Sequence, residues 1–482
     1  MSDQTLHDVA STIMSLEEEL HLFDLKVDGT PLWERIRMDV YWRTNRELQG
    51  NLGSSHEYES LELMRGLAHS CRDIVTALGP VDVLVWCVSR REQQDDGKWW
   101  DIYTDYVNKE ILDPSDVSYL AIETPNGTTH HRPARTSELA YIDYVYYAGA
   151  IARILADKQP GQPHVDGQLT KLSRELQKRL GVSVDVQKIA ARKLAERRGT
   201  YPLFRRLLCK TDPRVAFFVS SYGYLTDTFL EACADLNVTT VEFQHGGIYP
   251  AHLGYSFPGH KEKELIPDYF LSFGEYWHDA TEYPFSEERI VPVGYPHFEA
   301  KRAEHSKYST DTVVFISQPV VGDALSQFAC EFAERTDKDV VYKIHPKVSK
   351  KWRTEYPRLI RSDINVVTDE PSLYELFSRA SHQVGVFSTA VYEGVTFDLE
   401  TYLVDIYGIE TMDRFVAAYD VPVVSSPEEL IAAMAESRST EIPVDDLFKR
   451  DAVSNVSTFI KEELGLECAD EFSQPPKEEG KS

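Results

Sequence analysis

Val340-Val341-Tyr342-Lys343-Ile344-His345-Pro346-Lys347 (340–347) runs from paired valines into a histidine, a proline and two lysines, and its reading decides the fold. A short apolar run that ends in polar residues reads as a buried strand of a parallel sheet, with Pro346 fixing the turn that follows. Working outward, TVVFIS (312–317), INVVT (364–368), QVGVFS (383–388) and TYLVDI (401–406) read as its neighbours, separated by helical stretches around 324–335 and 372–380. Strands alternating with helices make a doubly wound unit. A second series precedes it: VDVLVWCV (81–88) after Gly79-Pro80, RVAFFVSS (214–221), TTVEFQ (239–244), DYFLSF (268–273) and RIVPVG (289–294), with helices expected over 138–156, 167–196 and 224–236. The Val293-Gly294-Tyr295-Pro296 junction separates the two series. The fold class is therefore α/β, with two doubly wound Rossmann-type domains facing a central cleft. Apolar residues at helical spacing (Leu16, Leu20, Phe23; Leu61, Met64, Leu67), with turns at Asp28-Gly29 and Asn51-Leu52-Gly53, add an N-terminal helical extension. The expected division is 1–78 helical extension, 79–297 first domain, 298–463 second domain and 464–482 flexible tail.

Length and composition agree with this reading. A chain of 482 residues exceeds what one core organises, and 42% hydrophobic residues supply enough apolar surface for two. The formal charge of -27 repels nucleic acid and anionic membrane surfaces, so neither is an expected partner. Such a surplus fits a salt-adapted protein and equally an acidic enzyme with a local basic pocket. The six cysteines form no CxxC pair, which leaves buried free thiols as the expectation. No stretch reaches membrane-spanning length and the first twenty residues lack a signal-peptide pattern, so a cytoplasmic location is expected.

Ligands of open α/β sheets bind beyond the carboxyl ends of the strands, and polar residues gather where these strands stop. Lys343, His345 and Lys347 suit a phosphate or diphosphate, with His345 as a plain strand cap the alternative. Ser388 and Thr389 open a helix whose N-terminus favours anions, and Glu393, one turn on, is placed to accept from ribose hydroxyls; simple capping is the alternative. His245, between Gln244 and Gly246-Gly247, is a candidate general base for a hydroxyl proton, with a turn histidine the alternative. Glu275, before Tyr276 and Trp277, is a second candidate carboxylate base. The charged, aromatic loop from Arg90 and Arg91 to Asp105 is a candidate acceptor reader or a surface excursion.

Between Thr239 and Tyr407 the segments EFQHGGIYP, PDYFLSFGEYW, VGYPHFEAKR, FISQP, YKIHP and FSTAVYEG follow in that order. In this they resemble bacterial and archaeal surface-polysaccharide glycosyltransferases of the two-domain GT-B type. Similar orders occur in capsule-biosynthesis transferases, in teichoic-acid polyol-phosphate transferases and in bacterial sialyltransferases with HP and Ser/Thr motifs. DGTPLWERIR (28–37) and the 90–105 loop look like the amino-terminal half of such proteins. The resemblance implies that Lys343, His345, Pro346, Ser388 and Thr389 meet the donor phosphates, Glu393 the ribose, and that Ser317 and Gln318 lie beside the donor pocket. It implies His245 as base, with Glu275 second, and Gln244, Gly246, Gly247, Arg91 and Asp105 on the acceptor side. The implied activity is glycosyl transfer from a nucleotide sugar to a polysaccharide, glycan or glycolipid acceptor in cell-surface polysaccharide biosynthesis. The nucleotide sugar would be a substrate; no cofactor is required, and no DxD-type metal motif is present. Peripheral contact with membrane-bound assembly machinery is compatible with that role. The absence of an aspartate-based motif ahead of the HP site sets the chain apart from the sialyltransferases. A nucleotide-sugar 2-epimerase, a CDP-glycerol-type polyol-phosphate transferase and a non-catalytic assembly subunit stand as alternatives.

Overall fold

The computed structural model describes residues 4–49, 78–88, 90–127, 129–158, 165–259, 263–308, 310–436 and 442–468. The expected helix around Leu61, Met64 and Leu67 and the turn at Asn51-Leu52-Gly53 lie outside them. Seven parallel strands form the first sheet: β1 (Val83–Cys87), β2 (Tyr119–Glu123), β3 (Leu139–Tyr141), β4 (Val215–Val219), β5 (Thr239–Phe243), β6 (Tyr269–Ser272) and β7 (Ile290–Pro292). Their order across the sheet is β7-β6-β5-β4-β1-β2-β3, parallel throughout. The second sheet has six: β8 (Thr312–Ile316), β9 (Asp339–Lys343), β10 (Asn365–Val367), β11 (His382–Gly385), β12 (Glu400–Val404) and β13 (Val423–Val424), ordered β10-β9-β8-β11-β12-β13. These too are parallel. In both sheets the winding direction reverses beside the first strand, so each is a doubly wound Rossmann-type unit with a crevice at its carboxyl edge. Fully buried β1, β4 and most of β8 explain their unbroken Val/Phe/Ile composition.

The N-terminal segment is a wall of the first domain. Helix Leu6–Glu19 starts with a reciprocal cap, in which Thr5 Oγ1 accepts the Asp8 N–H (3.1 Å) and the Asp8 carboxylate accepts the Thr5 N–H (2.8 Å). Asp28 and Gly29, both at positive φ, turn a two-stranded ribbon into helix Leu32–Leu48. These helices share an apolar core with helix Gly167–Leu180 and the start of helix Val186–Thr211. At its centre Arg37 is 1% exposed; it reaches Glu17 (2.5 and 2.9 Å) and the carbonyls of Leu253 and Ser256 (both 2.6 Å).

The chain's end departs from the expected division. Residues 443–468 return to the first domain: Lys449 N–H donates to the Phe273 carbonyl (2.8 Å), Trp277 Nε1–H to Leu447 (2.8 Å) and Asn455 Nδ2–H to Val293 (3.0 Å). Two glycines make the approach possible, because a Cβ on Gly274 would fall 2.3 Å from the Asp446 carbonyl and one on Gly294 2.2 Å from that of Lys449. The segment therefore belongs with the first domain rather than the second, and Leu466 and Cys468, assigned above to a frayed tail, are buried. Among the described residues no helix is long and apolar enough to cross a membrane.

Removing one partner of a buried pair strands the other's charge. We expect Arg37→Ala to destabilise the protein by about 3–5 kcal/mol in urea titrations, far more than the loss of an exposed ion pair.

Candidate functional site

The loops at the carboxyl ends of the two sheets touch. Gly247, four residues beyond β5, donates its N–H to Thr389 Oγ1 (3.1 Å), four residues beyond β11. Neither Gly246 nor Gly247 has positive φ, and a Cβ on them would make only ordinary contacts, 3.4 Å from Thr389 and 3.6 Å from Tyr392, so neither position requires glycine for turn or space. Ser388 caps the Thr389–Val395 helix by accepting the Ala390 N–H (3.3 Å). Two of the sequence clusters thus meet at one junction.

His345 ends β9 with Nδ1 accepting the Lys347 N–H (3.1 Å). Burial, helped by the charges of Lys347 and Arg90, pushes its pKa down to about 4, so the ring is neutral and its proton sits on Nε2 as a donor. Pro346 is exposed and opens the single turn 346–348. Glu393 is buried, its carboxyl pushed up to about 7 by burial against the opposing pull of Arg90 and a hydrogen bond with Tyr374.

Arg90 joins these groups. It leaves the end of β1, donates from Nη1 to Tyr103 Oη (3.1 Å) and stays open to solvent among Tyr103, Tyr295 and Tyr374. Its positive charge acts on His245, His345 and Glu393, one group from each cluster. Sequence reasoning passed over it for Arg91, which the structure buries: Arg91 Nε donates to Glu123 Oε2 (2.7 Å) and Nη1 to Asp105 Oδ2 (3.2 Å). Asp105 also accepts from the Asp101 N–H (2.6 Å) and from Thr136 Oγ1 (2.5 Å). Arg91 and Asp105 therefore hold the ribbon Arg91–Gln93/Trp99–Asp101 in place and face no acceptor. A usable signal existed, since adjacent residues of an extended chain point to opposite sides and only one of two arginines reaches the cleft.

Other expectations change with the contacts. Lys343 donates to the carbonyls of Asp369 (2.8 Å) and Pro371 (2.9 Å), tying down the loop after β10 instead of offering its charge to a phosphate. Gln318 lies across the β8/β11 reversal, its Oε1 accepting the Phe387 N–H (3.1 Å), while Ser317 is buried beneath it. Gln244 is a buried brace, accepting the Phe273 N–H and donating to the Gly246 carbonyl (both 2.8 Å), so it shapes the loop without facing an acceptor. Glu275 is exposed, with the His278 ring 4.0 Å away, and is not brought to the junction.

His245 sits in a buried relay. Tyr255 donates to Glu242 Oε1 (2.5 Å), so its oxygen accepts from His245 Nδ1 (3.4 Å), which leaves Nε2 to accept from Tyr222 Oη (2.9 Å). His252 Nε2 approaches the same hydroxyl at 3.2 Å. Burial, with the charges of His252 and Arg90, depresses the His245 pKa to about 3, so the imidazole is an uncharged acceptor at neutral pH. It addresses its surroundings through Tyr222 rather than directly. Among the described residues no cluster of His, Cys, Asp and Glu is placed to share a metal ion.

Because the folded-state pKa of Glu393 is raised from 4.5 to about 7, folding favours the protonated acid. That contribution is complete below pH 4.5 and is lost as pH rises through 7. Relative to Glu393→Gln, which is neutral throughout, the wild type should lose about 3 kcal/mol of unfolding free energy between pH 4.5 and 8.

No family model matches the chain, and no curated protein matches it. Among solved structures it is similar to the UDP-GlcNAc 2-epimerase of Methanocaldococcus jannaschii (12% identity, 78% of this chain and 99% of that one, TM-score 0.44). It is also similar to the UDP-GlcNAc 2-epimerase of Neisseria meningitidis bound to UDP-GlcNAc (13%, 79% and 100%, TM-score 0.44) and to the wall teichoic acid polymerase TagF (11%, 84% and 93%, TM-score 0.39).

Proposed function

We propose that the chain is a glycosyltransferase that moves a sugar from a nucleotide-sugar donor, held by the second domain, to a glycan or glycolipid acceptor held by the first. The contact of Gly247 with Thr389, together with the charge of Arg90 acting on His245, His345 and Glu393, is the observation that carries this reading. A diphosphate leaving group needs charge and directed donors where its negative charge grows. Arg90 supplies the charge, the Nε2–H of neutral His345 a donor, and Ser388 a hydroxyl beside them. Glu393, protonated or ionised near pH 7, remains a partner for the nucleotide's ribose.

On the acceptor side, the acceptor hydroxyl gives its proton to Tyr222 as Tyr222 passes its own to His245 Nε2, and the oxygen attacks the anomeric carbon while the bond to phosphate breaks. Glu242 and Tyr255 hold His245 in the tautomer that can receive the proton. Supporting transfer over single-substrate epimerisation is a cavity in the first domain, at the β1/β4 reversal, which a reaction without an acceptor has no need of.

Thermal-shift screening with UDP-, GDP-, CMP- and dTDP-sugars should reveal one donor class that raises the melting temperature, and His345→Ala or Arg90→Ala should weaken that donor at least tenfold by calorimetry. Full donor binding by both variants would remove the reading's support. Conversion of a UDP-sugar to its epimer without acceptor would assign the chain to the epimerase alternative. Tyr222→Phe should leave donor affinity unchanged and lower kcat by about 10²-fold or more.

A further inference from the structure

The cavity in the first domain occupies about 600 Å³ where β1 and β4 end, and helix Leu32–Leu48 lies across it. That volume lies within the range of small-ligand sites and exceeds what one sugar ring fills. Two features show a shaped wall. Ser220, in the wall, takes a left-handed φ of 68°, a cost that non-glycine residues meet where the surroundings over-determine the backbone. A Cβ on Gly254 would fall 2.4 Å from the Tyr222 ring, so the glycine lets that ring stand at the cavity's edge with its hydroxyl on His245.

The charged groups of the wall are unevenly matched. Arg35 is bonded to Asp227 (2.8 Å), and Lys193 to Glu196 (3.1 Å) and Asp227 (3.2 Å). Glu34 accepts the backbone N–H groups of Glu264 (3.1 Å) and Leu265 (2.9 Å). Arg46 and Lys263 have no ion-pair or hydrogen-bond partner among the described residues, and Arg153, stacked over Tyr224 at 4.5 Å, has only a long 3.4 Å pair with Glu196. Against these three cations stands one carboxylate without a bonded partner, Asp39, open to the cavity. Six cations line the cavity (Arg35, Arg37, Arg46, Arg153, Lys193, Lys263) with four carboxylates (Glu34, Asp39, Glu196, Asp227), and Glu17 and Glu231 pair Arg37 and Arg35 from behind. In a chain of net charge -27 the pocket is therefore locally balanced, while Arg46, Arg153 and Lys263 keep donors free for an anion. Trp42, 38% exposed and edge-on to Tyr222 at 5.9 Å, adds an aromatic face.

From this juxtaposition we infer that the cavity binds an acidic sugar, a saccharide bearing a carboxylate or a phosphate, as the terminal unit of the acceptor. The anionic group meets Arg46, Arg153 and Lys263, Asp39 accepts sugar hydroxyls, and Trp42 covers the apolar face of the ring. Tyr222, shared with His245, then stands beside the hydroxyl to be activated. This assignment rests on the transferase reading above.

The full chain is titrated by calorimetry with a hyaluronan tetrasaccharide, which supplies uronates, with chitotetraose as its neutral counterpart, and with glucose 6-phosphate against glucose. At least one charged ligand is expected to bind ten or more times tighter than its neutral counterpart, and the arm that does so identifies carboxylate or phosphate. Arg46→Gln/Arg153→Gln is expected to abolish that preference, while Trp42→Ala weakens the preferred charged ligand and its neutral counterpart alike. Equal binding of charged and neutral ligands, no binding of either charged ligand, or a preference that survives the double variant would overturn the assignment. The nucleotide-sugar thermal shift, read on the same samples, depends on the other domain: its persistence confines a failure to this pocket, and its loss in wild type sinks the transferase reading itself.

Discussion

Everything in this protein depends on a constraint of parallel sheets. A chain that winds first one way and then the other from a central strand must send its connections to opposite faces, and the two sets part at the carboxyl edge where the winding reverses. Here the reversal occurs twice, beside β1 and beside β8. Each leaves a crevice, and the loops that flank the crevices bring Arg90, His245, His345 and Glu393 together. Gln318 shows how local the control is, since one amide ties the loop after β8 to the loop after β11.

The electrostatics of the junction are set mainly by dryness. His245 and His345 are held neutral because burial penalises their charged forms, and Glu393 is pushed toward neutrality for the same reason. Arg90 remains the one permanent positive charge shared by the three. Arg90 itself is open to solvent, so its charge is available to an incoming anion while Lys343 is taken up by the Asp369 and Pro371 carbonyls.

Much of the fold was legible because buried parallel strands write themselves as uninterrupted apolar runs. VLVWC, VAFFV and TVVFI are such runs, and each proved to be a central strand. β2 and β3 escaped notice: Tyr119–Glu123 ends in a buried glutamate that serves Arg91, and Leu139–Tyr141 is a three-residue edge strand with only one buried side chain. The strand-end clusters were legible as positions, but the roles of their side chains were not. Lys343 and Arg91 carry the charge expected of ligand-binding residues, yet their partners lie 26 to 28 and 14 to 32 residues away in sequence. Only the folded chain shows that those partners already claim them. His245 was placed correctly at the junction, whereas the tyrosines that govern it come from separate loops that no local pattern links.

The return of residues 443–468 has a topological consequence. Polypeptide passes between the domains at two places, once after β7 and again ahead of residues 443–468, where Leu447 and Lys449 bond to Trp277 and Phe273 and the terminal helix Ala452–Glu462 bonds to Val293 through Asn455. The two halves are also joined by side chains, with the Leu6 N–H donating to Glu410 (2.7 Å) and Arg414 donating to the Tyr276 carbonyl. The contact of the Gly247 N–H with Thr389 is therefore framed by chain ends that both lead back into the first domain.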